Sequence, residues 1–540
     1  MKARDRFPRP FLIFLLIATS GLCMAQTYKA ERVRAIPGNA FGQEEASGSN
    51  CTPNGNRFNL EKLKGPQGGV GQFVATQFDE SVAVLPNQGR NGADLVLGAA
   101  MDERALPPEG FFSGIPADAF YIQRDKSDCV ANTEGELPGI TAFGEVFEIF
   151  GNPTVVADPV HDAFFAADLR FEEAGDTSGV GLLKSSASTF LNSSLCPNGT
   201  QQGPATCWDS AQVVNNTVVN SFLFNPAIAV DQRTHGNGAG DVYVVVTQED
   251  TTNEVFQVFL SACTNSLTSC TSAALVSGSD THATFPWVQA RADGNITVSY
   301  VETPTSNQEP IEIRFVNCKP GAPPTCSKPI TVLTEKQPMF QTFPGDEQVR
   351  DDTYPRHVDR LEKDGKTVTT FLVYDRCEVP LNVFLVGTTS CPKTDVVVTS
   401  SSDDGQSWSP LQKVSSSDGQ QFLGAVALDA STGTVNMAYY STQNDPLKLR
   451  MQIFLTQIPP GQTEVSSPHQ VTSAYYDGQI IGRGVPSNGD LYSYIGLDAA
   501  GTGKTGESHA YIHFTGSTAQ GTFNGVKFPV TTNVLTSFQY

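Results

Sequence analysis

Long apolar runs are nearly missing from this 540-residue chain. The one early stretch, Phe11 to Ala18, is too short to span a bilayer comfortably and nothing longer follows, which excludes a multi-span membrane protein built of helices. Positive charge is also scarce: 35 Lys and Arg stand against 56 Asp and Glu, for a formal net charge of −21. Such a surface repels nucleic acid and anionic membranes, and it suits an anionic substrate only where a local basic pocket reverses the field. Its plainest effect is solubility. No Cys-x-x-Cys pair occurs, so a zinc site is not expected. Neither a His-Glu-x-x-His helix nor a Gly-x-Ser-x-Gly elbow is present. The GTGKTG run at Gly501 fails as a phosphate loop: Asp498 stands where the first glycine is needed, and the run links two strands. Helical 3.6-residue periodicity is nearly absent as well.

What the chain does have begins with an export signal. Lys2, Arg4, Arg6 and Arg9 precede the apolar run, and Cys23-Met24-Ala25 offers a small-residue exit, so residues 1–25 are expected to be cleaved before Gln26. A lipid-modified Cys23 is the rival reading, opposed by Leu22 where a small residue belongs. The mature protein is therefore expected outside the cytoplasm, secreted or in the periplasm or cell envelope, with no inserted membrane segment. Of the 11 cysteines, Cys23 leaves with the signal. The even remainder in an exported chain favours disulfides. Cys196 with Cys207, Cys263 with Cys270, Cys318 with Cys326 and Cys377 with Cys391 are close sequential pairs, and Cys51 with Cys129 follows by elimination.

The dominant pattern is a repeat. A short apolar strand, often opened by proline, recurs as ESVAVL at Glu80, NPTVVAD at Asn152, NPAIAVD at Asn225, FPWVQAR at Phe285, YPRHVDR at Tyr354, LGAVALD at Leu423 and YSYIGLD at Tyr492. Each is followed by a β-rich partner such as DVYVVV at Asp241 or TVNMAYY at Thr434. The strand-end residues Leu85, Asp158, Asp231, Arg291, Arg360, Asp429 and Asp498 are spaced by 73, 73, 60, 69, 69 and 69 residues. That regularity marks one supersecondary unit repeated. Each unit can hold four strands, and radial repetition of four-stranded sheets solves the edge problem without a second layer. The expectation is an all-β chain: a single seven-bladed β-propeller of four-stranded antiparallel blades over residues 80–540. Residues 26–79 form an N-terminal extension whose strand Tyr28 to Ile36 could close the ring. Six blades would follow if a terminal copy is not a blade.

One stretch, Asp395 to Pro410, reads DVVVTSSSDDGQSWSP. An alternating β run leads into a turn with Ser401, Asp403, Gly405 and Trp408 in four fixed places: Gly405 can take φ > 0, Asp403 can bond turn amides, and Trp408 can anchor the turn. It resembles the Asp-box (BNR repeat) of sialidases and related β-propellers, where the box joins the third and fourth strands of a blade. The resemblance implies architecture rather than chemistry. Three of the cysteine pairs fall late in their units, where such a box would otherwise sit, and KSSASTF at Lys184 resembles a degraded copy.

A sialidase would need three arginines around a carboxylate, a Tyr–Glu nucleophile pair and an acidic Asp. The family's Phe/Tyr-Arg-Ile-Pro motif is interrupted here as Arg34-Ala35-Ile36-Pro37. Arg314, Arg356 and Arg450 are the other candidates. In sialidase-like propellers the functional face carries the loops entering the innermost strands and those joining the second and third. On this chain that face would collect Glu80, Asn152, Asn225, Arg350, Asp352 and Asp490 from the first set, and Arg170, Glu172, Glu173, Asp375 and Arg376 from the second. The link from Asp231 to Asp241 could cradle calcium, but a hydrated hairpin loop is the favoured reading, and no cofactor is expected. The leading expectation is a monomeric, non-catalytic module that binds a glycan, peptide or extracellular protein. A glycoside hydrolase or polysaccharide lyase with carboxylates in the funnel, and a structural envelope component, remain as alternatives.

Overall fold

The computed structural model describes residues 77–102, 117–124, 133–172, 177–197, 205–214, 221–250, 252, 255–279, 282–303, 310–337, 353–378, 391, 393–472, 475–477, 495–503, 507–523 and 526–540. The export signal, the extension with its closing strand, Arg34 and the Cys51–Cys129 pair lie outside them. Among the described residues there is one short α-helix, and no helix is long and apolar enough to cross a membrane.

The rest is strand, in consecutive antiparallel meanders. Their first strands are Gln77–Leu85, Glu145–Asp158, Ser221–Val230, His282–Ala290, Arg356–Leu361, Gln421–Asp429 and Gly496–Ala500. These coincide with the seven repeat copies read from the sequence. A single parallel bridge, Phe256 to His282, joins the third and fourth meanders into one sheet. Two details depart from a uniform four-strand unit. In the second meander, Ile140–Ala142 forms a hairpin with the start of Glu145–Asp158. The last meander has three strands among the described residues, closing with His509–Phe523 and Val526–Gln539.

The proline that opens many copies marks a bulge within the strand. Asn152, Asn225, Phe285 and Leu423 all take positive φ between 51° and 55°. At each of them the register to the second strand slips. Proline has no N–H to give to a ladder, so a bulge is where a strand can hold one. Glu80, Asn152 and Asn225, expected on entering loops, therefore sit inside strands that extend on both sides of the bulge.

Alternation in these strands buries both faces. Ala83 and Leu85 pack with Phe147, Val155 and Phe164 of the second meander. Their neighbours Val82 and Val84 pack with Ala500 and Tyr511 of the last. Separate cores likewise join the second meander to the third, the third to the fourth, the fourth to the fifth, the fifth to the sixth and the sixth to the last. The order of neighbours therefore returns from the last meander to the first. Ion pairs and capping bonds finish the first strands: Asp231 grips Arg233, Arg291 bridges Asp293 and Asp404, Arg360 meets Glu362, and Asp498 accepts the Val84 amide. The link from Asp231 to Asp241 is thus organised by the Asp231–Arg233 pair, at 2.6 Å.

Third-to-fourth-strand connections are fastened in two ways. Disulfides Cys196–Cys207, Cys263–Cys270 and Cys318–Cys326 close them in the second, third and fourth meanders. Cys377–Cys391 ties the second strand of the fifth meander to the start of the third. KSSASTF is not a box turn: Ser186 caps the short helix Ala187–Leu191 by accepting the Thr189 amide. In the fifth meander the turn after Thr394–Ser401 is held by hydrogen bonds. The Gly405 amide donates to Ser401 Oγ at 2.9 Å, Ser407 N donates to Asp403 at 2.9 Å, and Trp408 Nε1 donates to Gly405 O at 3.0 Å. Gly405 has φ 82°, and a Cβ there would stand 2.6 Å from Phe315 of the preceding meander. Only glycine fits.

Candidate functional site

The end of the sheets where first strands begin, and where second strands join third, is the end the sequence singled out. Glu173, Arg350, Asp352 and Asp490 lie outside the described residues. The others are in place, but their polar atoms are spent on the protein itself.

Arg170 is fully buried and forks onto Asp168 at 2.7 and 2.8 Å, with Pro138 O accepting at 2.8 Å. Burial raises the Asp168 carboxyl to about 6 against the pull of Arg170. Asp375 accepts the backbone amides of Leu423 and Gly424 in the next meander at 3.0 and 3.1 Å. Arg376 pairs with Glu335 at 2.9 Å, and Tyr374 donates to the same carboxylate at 2.7 Å. Arg356 reaches from the fifth meander to Ile495 O in the last at 2.6 Å, with its guanidinium 4.8 Å from the Tyr354 ring centre and 5.3 Å from Trp287. Asn225 donates to Thr284 Oγ1 at 3.4 Å. The other arginine candidates are equally engaged: Arg314 with Glu302 and Glu312, and Arg450 with Asp445 and the Tyr475 ring.

Glu80 is the exception. It is 3% exposed, Thr515 donates to its Oε1, and its Oε2 has no hydrogen-bond partner among the described residues. Burial pushes its carboxyl up to about 8, the Thr515 hydrogen bond opposing. Nearby, His513 Nδ1 meets Ser81 O at 3.0 Å, and burial holds this imidazole down at about 4. Both groups lie on the seam between the first and last meanders. Burial thus favours the neutral form of Glu80, which is closed off from solvent.

What the sequence reading missed is aromatic. At the same end, Phe150 and Phe171 of the second meander contact at 4.4 Å between ring centres, and each meets Phe222 of the third, at 5.6 and 5.2 Å. The row continues through Phe224 at 6.3 Å and Phe256 at 5.7 Å to His282 of the fourth, at 5.7 Å. All six rings are half-buried, unlike the fully buried Phe120, Phe164 and Phe165 of the interior. Phe222 and Phe224 stand two apart on one strand just before the Asn225 bulge; that spacing was the available signal. Which strands would bring the other rings beside them is a matter of register, and the sequence does not carry it.

No family model matches this chain, and no curated protein matches it. Solved structures do. A protein of unknown function from Dyadobacter fermentans is 11% identical over 71% of this chain and 93% of its own, with a TM-score of 0.40. A Hadza microbial sialidase is 10% identical over 78% of this chain and 73% of its own, at 0.36. An α-L-arabinofuranosidase from Fusarium graminearum is 8% identical over 72% and 98%, at 0.38. Similarities of this size carry no residue roles to this chain.

Proposed function

We propose that this protein is an exported, single seven-bladed β-propeller that binds an extracellular ligand without transforming it. The blade count is supported by the seven first strands and by the order of neighbours that returns from last to first. The non-catalytic reading is supported above all by the state of the arginines. Arg170, Arg314, Arg356, Arg376 and Arg450 all have protein partners, and for Arg170, Arg356 and Arg376 these are buried or lie between meanders, so a carboxylate clamp built on those three would have to dismantle them. Removing one member of a buried pair costs about 3–5 kcal/mol, more than a single new contact to a sugar acid returns. The half-buried aromatic row is the surface left to meet a ligand, because exposed rings concentrate binding energy at interfaces. The test is a glycan and protein array together with a turnover screen on fluorogenic glycosides, using purified mature protein. Binding without turnover is the expected result, with no sialic acid released. Hydrolysis abolished by Arg356→Ala or Arg376→Ala in a folded variant would install the glycosidase reading instead.

A further inference from the structure

The fifth meander departs from those before it in how its outer strands are fastened. In the second, third and fourth a disulfide closes the connection between third and fourth strands, whereas Cys377–Cys391 of the fifth ties the second strand to the third. In the fifth, a lysine and an acid face each other across the third and fourth strands, with a second acid beside them. Lys413 ends the short fourth strand Gln412–Lys413 and pairs with Val397 of the third. Asp395 lies two residues before Val397, so Lys413 and Asp395 share one face. Lys413 Nζ stands 2.6 Å from Asp395 Oδ2 and also touches Glu378 Oε1. Lys393 holds the other oxygen, Glu378 Oε2, at 2.9 Å. Arg376, opposite Asp395 across the ladder, is committed to Glu335.

The three groups are held in unlike states. The Asp395 side chain is 1% exposed, and burial, together with the hydrogen bond it shares with Glu378, pushes its carboxyl above the ordinary range. The same hydrogen bond, with Lys413 and Lys393 adding to it, holds Glu378 well below. Where the pair holds a proton, Asp395 therefore carries it and Glu378 carries the charge. A carboxylic acid accepts a nucleophile far more readily than a carboxylate does. Burial works against the Lys413 ammonium but the two acids outweigh it, so a free amine forms only when a base takes its proton. Glu378 touches both the ammonium and the acid, and so can act as that base. The reacting groups are already in contact, and burial of Asp395 keeps bulk water from the bond they would form.

We propose that Lys413 and Asp395 condense into an intramolecular amide, a staple across the strands that carry a disulfide in the three preceding meanders. The Lys413 ammonium gives one proton to Glu378. The freed amine attacks Asp395 Cγ, the Nζ–Cγ bond forms and the Cγ–OH bond breaks. A second proton from Nζ leaves with the hydroxyl as water, and the proton on Glu378 passes to solvent. Nothing is oxidised or reduced, and no co-reactant is needed.

The experiment measures the intact mass of the purified mature protein after reduction and unfolding. The expected mass is one water below that of the sequence. Trypsin should leave Lys413 uncleaved, and chymotrypsin, cutting after Trp408, should give a branched peptide that carries both Asp395 and Lys413. Lys413→Arg, Asp395→Ala and Glu378→Gln should each return the full mass, with unfolding midpoints confirming that they fold. Lys393→Arg should stay one water light, because Lys393 meets Glu378 and not Asp395. Full mass in the parent protein would overturn the proposal whatever the variants do. A water loss that survives Lys413→Arg would overturn it too, and would point to a cyclic imide such as Asp404–Gly405 can form, with Lys413 left open to trypsin. An amide formed in full by Glu378→Gln would overturn the proton transfer.

Discussion

The second and fifth meanders meet the same end of the molecule with opposite chemistry. In the fifth, Tyr374, Asp375 and Arg376 stand near the end of the second strand, and each is engaged with Glu335 or with the amides of the next meander. Gln337 adds bonds to Thr353 Oγ1 and Asp375 O, and its own oxygen takes the Cys377 amide. Glu378 collects Lys393 and Lys413. In the second meander the corresponding stretch turns one charged residue inward, Arg170, and leaves Phe171 half-buried beside Phe150 and Phe222. Polar rungs at this end sew neighbouring sheets together. Aromatic rungs leave a surface.

Disrupting the buried charges at this end, in either meander, should have the largest effect. Arg170→Met strands Asp168 in a fully buried site and should lower unfolding stability by about 3–5 kcal/mol, read from urea denaturation midpoints at constant m. A loss under about 1 kcal/mol would mean that this fork is solvated and the contrast false. Asp375→Ala, which removes the acceptor of two buried amides, should cost about 2–4 kcal/mol by the same measurement.

Glu80 sharpens the comparison through pH. Its folded pKa, about 8, lies above the ordinary 4.5, so the folded state holds a proton that the unfolded chain releases. Its contribution to stability is whole below about pH 4.5 and is lost as pH rises through 8. Glu80→Gln removes that dependence. The stability of the variant relative to the parent should therefore increase steadily between pH 4.5 and 8, reaching a few kcal/mol. A flat difference would place this carboxyl in contact with water. In the fifth meander, Gly405→Ala must strain a backbone at φ 82° and push on Phe315, for about 1–3 kcal/mol.

Much of the fold is legible in the chain because the apolar strands and their strand-end residues recur with each unit, and an opening proline recurs in four of the seven. The proline signal carried more than it first yields, since it locates a bulge within the strand and so moves Asn152 and Asn225 off the loops. The Ser401–Trp408 turn is equally legible, its bonds being local. The site is not. Whether Arg170 faces solvent or Asp168 depends on what packs over it, and Gly181, whose added Cβ would fall 1.9 Å from Arg170 Nε, lies eleven residues away on another strand. The aromatic row is assembled from three meanders, so Phe171, Phe222 and Phe256 read singly as ordinary core positions.

The central claim is that this row is surface held for a ligand rather than interior packing. Phe222→Ala and Phe165→Ala test it side by side in one denaturation experiment, Phe165 being fully buried. The expected result is a loss of about 3–5 kcal/mol for Phe165→Ala and under about 1.5 kcal/mol for Phe222→Ala. Equal losses would contradict the claim and return the row to the core.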